Sequence, residues 1–179
     1  MIKLKDILLE NTAPDIFIPR RMEDRIERLI KQYIRNGSKG DLKINSMNLI
    51  ELPDILKNVT VNGDFVCEMN QLTSLKNSPK YVSGDFNCSI NKLTSLAGAP
   101  TNVGGDFWCD DNSLISLQGA PSSVGGSFYC SYNNLTSLEG APKTVGNEFS
   151  CGVNARKFTE SQVRAVCDVK GRIFGVLYF

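Results

Sequence analysis

The chain of 179 residues contains no histidine. That removes the commonest general base and a common metal ligand, so catalysis is not expected. An excess of either charge is also missing: 20 Lys and Arg against 19 Asp and Glu leave a net charge of +1. This balance points to neither a nucleic-acid binder nor a membrane-surface protein. No run approaches the roughly 20 apolar residues of a membrane span. Met1–Glu10 carries Lys3, Lys5, Asp6 and Glu10 and lacks the long apolar stretch of a secretory signal. A reducing cytoplasm is the expected setting, in which the six cysteines stay thiols.

What the chain has instead is register. Cys67, Cys88, Cys109, Cys130 and Cys151 are spaced 21 residues apart. Phe65, Phe86, Phe107, Phe128 and Phe149 share that spacing, as do Asn70, Asn91, Asn112, Asn133 and Asn154. Leu72, Leu93, Leu114 and Leu135 follow, each with a second leucine three residues later. Then come Pro79, Pro100, Pro121 and Pro142, the valine series from Val61 to Val145, and Gly63, Gly84, Gly105 and Gly126. A less regular copy runs through Leu42, Ile44, Leu49, Leu52 and Pro53; Met47 stands in its Asn slot and two extra residues follow.

The unit Phe-x-Cys-x-x-Asn-x-Leu-x-x-Leu resembles the leucine-rich repeat, with Phe and Cys in the first two leucine slots. The resemblance covers Leu42 to Asn154 and implies an α/β solenoid of about six 21-residue coils with parallel strands. Each slot has a physical reason. Phe and Cys lie two apart, so both point to the interior side of a short strand. Cysteine is small and apolar enough for a narrow internal column. The Asn amide can serve the backbone where the strand ends and ladder bonds stop. The glycine permits a tight corner or a close backbone approach. Proline opens the return segment, where no ladder N–H is needed. One coil cannot bury its apolar face, but a stack can.

Both ends of the stack need covers. Residues 21–41 are expected to form the first. Met22, Ile26, Leu29, Ile30, Tyr33 and Ile34 make a helical apolar stripe, and Asn36-Gly37 is a plausible stop. The other helix face mixes Arg21, Arg25, Arg28 and Arg35 with Glu23, Asp24 and Glu27, the pattern of a solvated surface. Residues 155–179 should form the second cover. The repeat breaks at Arg156, Thr159 with Gln162 resembles a capping box, and Arg172–Phe179 reads as a terminal strand.

The cysteine ladder offers poor disulfide geometry, because neighbouring side chains would be parallel and buried. It also lacks the paired spacing of metal sites, so no metal or other cofactor is expected. Calcium favours oxygen ligands, yet no known calcium-loop spacing accompanies the acids. Those acids are the more useful feature. Asp64, Asp85, Asp106 and Glu148 share one slot, interrupted by Ser127; Glu68 and Asp110 share another. The outward slot between Phe and Cys holds Val66, Asn87, Trp108, Tyr129 and Ser150. In leucine-rich repeats this strand surface is the usual recognition face. Adjacent aromatics ringed by acids suit a protein partner with a basic or amphipathic segment. A solvated face whose like charges discourage aggregation fits the same residues. The candidate protein-binding set is Asp64, Val66, Asp85, Asn87, Asp106, Trp108, Asp110 and Tyr129. The acids would repel phosphates, so nucleic acid is not an expected partner of this face.

The coils from Asp85 to Pro142, and the ending Lys157–Gly171, resemble leucine-rich-repeat proteins of large tailed bacteriophages of the T4-like kind. That resemblance implies a phage-encoded, non-enzymatic protein of the host cytoplasm or the virion. Secreted bacterial ubiquitin-ligase effectors carry repeats of similar length, but a large catalytic domain follows theirs and none is expected here. Residues 1–20 read as an arm. Its first ten residues resemble the capsid-targeting peptides of internal head proteins, cut after Leu-x-Glu; Leu8-Leu9-Glu10 matches that triplet. The same residues fit an ordinary short helix or a flexible arm. Two functions are therefore expected: protein–protein interaction through the strand face, or a structural role as a packaged or particle-mounted virion component.

Overall fold

The computed structural model describes residues 20–177. The arm with its Leu8-Leu9-Glu10 triplet, and the side chain of Met22, lie outside the described residues. From Arg20 onward the chain is a parallel-strand solenoid with a helix at each end. The 21-residue repeat appears directly as strand register. Phe65 pairs with Phe86, Phe86 with Phe107, Phe107 with Phe128 and Phe128 with Phe149, all in parallel. The five phenylalanines are fully buried and stack in one file with ring centroids 5.2–5.4 Å apart. Each such burial contributes about 1.5–3 kcal/mol.

Among the described residues the parallel strands form two sheets, whereas the repeat pattern located a strand only at the Phe and Cys slots. A seven-stranded sheet carries the phenylalanines; Leu42–Lys43 stands at its first edge and Ile173–Phe174 at its last. A six-stranded sheet carries the valine series, from Thr60–Val61 to Asp168–Val169. Every strand is two residues long, so the valine strands show no alternation that a sequence pattern could reveal.

The asparagines act as expected at the bend. Asn112 Oδ1 accepts from the Leu93 N–H at 3.0 Å, and its Nδ2 donates toward the carbonyls of Cys88, Cys109 and Asp110 at 3.1–3.2 Å. Asn91, Asn133 and Asn154 repeat this link to the preceding coil. The six cysteines are free and buried. Cys88, Cys109 and Cys130 each donate toward a carbonyl of the next coil at 3.1–3.3 Å.

The first helix, α1, spans Arg20–Arg35. Ile26, Ile30 and Tyr33 are buried against the first coil, whereas Ile34 at the edge of the predicted stripe is exposed. Gly37 adopts φ 77°, and the Ser38 N–H returns to the Tyr33 carbonyl, closing the helix with a Schellman turn. The two extra residues of the first coil fall where a short 3-10 helix, Asp54–Asn58, replaces the extended return segment. At the other end α2 spans Glu160–Val166 with both halves of the Thr159/Gln162 capping box formed. The solenoid path does not stop at Asn154. Asp168–Val169 extends the valine sheet and Ile173–Phe174 the phenylalanine sheet, so the C-terminal cover is itself a modified coil.

Candidate functional site

Strand pairing sets Val66, Asn87, Trp108 and Tyr129 in one file across four coils. The Trp108 and Tyr129 rings are stacked, with centroids 3.9 Å apart and an interplanar angle of 18°. All four side chains are half-buried. Two aromatics in contact present a large rigid surface with little side-chain entropy left to lose.

The acids divide into two files with different environments. Asp64, Asp85 and Asp106 precede the phenylalanines. Each carboxylate accepts the backbone N–H of the same slot one coil later: the Asp85 N–H donates to Asp64 Oδ1 at 2.8 Å, the Asp106 N–H to Asp85 Oδ1 at 2.7 Å and the Ser127 N–H to Asp106 Oδ1 at 2.6 Å. These side chains therefore lock one coil to the next. The glycine of the next coil makes room for each carboxylate, because a Cβ on Gly84, Gly105 or Gly126 would collide with it. The close approach expected of this glycine is thus to a side chain as well as to backbone.

Asp110 belongs to the second file, after the cysteines, with Glu68, Ser89, Ser131 and Gly152. Its Oδ1 accepts from the Ser131 N–H at 2.7 Å. Burial pushes its carboxyl up to about 6, against the lowering effect of that hydrogen bond; the neighbouring Asp111 raises it further. Glu68 accepts from the Asn87 amide at 2.8 Å, and Asn87 in turn accepts from the Ser89 N–H at 3.0 Å.

A third file was not singled out from the sequence. Met69, Ile90, Asp111, Tyr132 and Val153 follow in the next position, and all five adopt φ of 49–55°. Left-handed backbone is a genuine outlier for β-branched residues such as Ile90 and Val153. Both are also well exposed, at 47% and 66%. The signal was available: large apolar residues recur here in register although the slot lies on the outer side of the bend.

Desolvation raises the thiols of the ladder cysteines, so they stay protonated and inert. Among the described residues no group of three or more Cys, Asp or Glu side chains is placed to hold one metal ion. No described helix is long and apolar enough to cross a membrane. No family model matches the chain. No curated protein matches it either.

Proposed function

We propose that this chain is a phage-encoded, non-enzymatic binding module that engages a protein partner through the strand face around Trp108 and Tyr129. The observation that carries this reading is the stacked Trp108–Tyr129 pair, flanked by a file of exposed apolar side chains held in strained backbone. Strain of order 1–3 kcal/mol per residue persists only where surrounding structure enforces it, and it clusters at functional surfaces. Glycine or asparagine at Ile90 and Val153 would relieve the strain, and the chain keeps apolar side chains there. Aromatic anchors beside apolar and acidic groups match the composition of protein-recognition patches.

The test is affinity capture from extracts of phage-infected bacteria with wild type and a Trp108→Ala/Tyr129→Ala variant of matched fold. Capture of a specific protein by wild type and its loss from the variant is the expected result. Identical captured sets from both would remove this face from the reading.

A further inference from the structure

The N-terminal end of the stack carries a second surface that the binding reading does not use. A groove of about 360 Å³ lies between α1 and the first coil. Ile26 and Glu27 line it from the helix, and Leu49, Ile50, Pro53 and Ile55 from the coil. Ile26 and Leu49 are buried, but Ile50 is 36% exposed and Ile55 is half-buried. Ile50 stands in the slot that holds the exposed Thr73, Thr94 and Thr136 in later coils, where only Ile115 is also apolar. Apolar surface left in water forgoes about 25 cal/mol per Å², and the end of a stack normally hides it. α1 covers part of this end through Ile26, Ile30 and Tyr33 and leaves Ile50 open.

The chain holds a matching segment beside this groove. Residues 1–19 lie outside the described residues and join the fold at Arg20, where α1 begins. Ile16, Phe17 and Ile18 are three consecutive large apolar residues, and Pro14 and Pro19 bracket them. Proline disfavours helical backbone at the residue before it, so the sequence favours an extended Ile18 over a further turn of α1. The reach also fits. Ile26 comes six residues after Arg20, about 9 Å along the helix axis. An extended chain running back from Arg20 covers about 10 Å by Phe17. Glu27, Glu51 and Asp54 border the groove and are exposed, and the apolar triplet brings no charge to meet them. A tether this short supplies an effective concentration of about millimolar, which a separate partner would have to exceed.

We propose that Ile16-Phe17-Ile18 folds back along α1 and seats Phe17 in this groove against Ile50. The chain's own arm then completes the N-terminal cover. Phe17 and Ile50 shield each other from water, while the carboxylates at the rim stay solvated. The seated triplet is also an anchor: it fixes the point at which residues 1–13 leave the fold.

Cross-linking in the full chain tests the contact. The six native cysteines are free and buried, so an introduced exposed pair is the one that reacts with the oxidant diamide. Phe17→Cys with Ile50→Cys should give a disulfide within one chain. Phe17→Cys with Thr94→Cys, the same slot two coils further on, should not. Equal yields from the two pairs, or a link that joins two chains, would overturn the proposal; the second result would assign the groove to the arm of another copy. Two further variants read the release of the arm. Ile50→Thr installs the residue of later coils and should keep the fold, yet chymotrypsin should cut after Phe17 about fivefold faster than in wild type. Phe17→Ala should speed hydrogen exchange in residues 49–55 about tenfold and leave residues 86–150 unchanged. An unchanged cleavage rate in the first variant, or unchanged exchange in residues 49–55 in the second, would show that the arm does not occupy the groove.

Discussion

Asp85 and Gly105 behave as one unit although 20 positions separate them, because the carboxylate of one fills the space that the other leaves. The chain contains its own control. Where Asp64, Asp85 and Asp106 supply the carboxylate, the next coil has Gly84, Gly105 and Gly126; where Ser127 replaces the acid, Asn147 replaces the glycine. Ser127 Oγ still accepts the Glu148 N–H at 3.3 Å, so the shorter side chain keeps the bond and frees the space. Gly105→Ala should cost about 1–3 kcal/mol by overpacking, and adding Asp85→Ser should recover part of that loss. Urea unfolding of the two single variants and the double variant measures the coupling; strict additivity would show that the two sites are independent. Asp110 makes a different prediction. Folding raises its carboxyl from 3.8 to about 6, so the folded chain holds this proton more tightly than the unfolded chain does. The ionised group thus costs stability above about pH 6, and the cost fades as the pH falls toward the ordinary value. Asp110→Asn should raise stability at neutral pH by on the order of 1 kcal/mol, with solvent screening allowed for, and should lose this advantage in acid. Chemical denaturation of both proteins across that range is the measurement.

At the scale of elements, the ends show how a stack is closed. α2 starts on the Thr159/Gln162 capping box, and Arg164 on its last turn donates to the Val169 carbonyl at 2.9 Å. Val169 belongs to the edge strand of the valine sheet, so a helix side chain covers backbone that would otherwise offer itself to another chain. Thr159→Ala should cost about 1 kcal/mol and release the cap before the repeats, which hydrogen exchange in residues 160–169 would detect. Much of this architecture was readable beforehand, for identifiable reasons. The Phe, Cys and Asn slots repeat because they face a common interior, and the capping box is a local code. The valine sheet was missed because a two-residue strand has too few positions to show a period. The strand within Arg172–Phe179 was read as a cover, but its place in the phenylalanine sheet was not, because the last coil keeps the path and the sheet pairing while discarding the repeat residues. For the site, strand alternation placed Trp108 beside Tyr129. It could not tell that Asp85 is spent on a backbone N–H, nor that the slot of Ser89 and Asp110 is recessed. Both follow from how far one coil leans over its neighbour, which sequence spacing does not encode.

Among the described residues the molecule is a stack of coils whose strands pair only with those of adjacent coils, so its length should be adjustable. Removing residues 86–106, one full 21-residue unit, joins Asp85 to Phe107 and leaves every slot in phase. The shortened chain should fold, with a smaller denaturant dependence in proportion to the surface lost. Removing one residue fewer shifts the phase, turns buried side chains outward and should prevent folding. Circular dichroism with urea titration separates the two outcomes.

The carboxylate locks also bear on how such a chain can evolve. A change at Asp85 is judged by Gly105, so a single nucleotide substitution at either meets a penalty that its partner imposes. Copying a whole coil meets none, because the copy brings an acid for the glycine above it and a glycine for the acid below. Recombination between repeats is therefore the easier route of change, and the file of Trp108 and Tyr129 marks where point mutation can still vary the face without disturbing the locks.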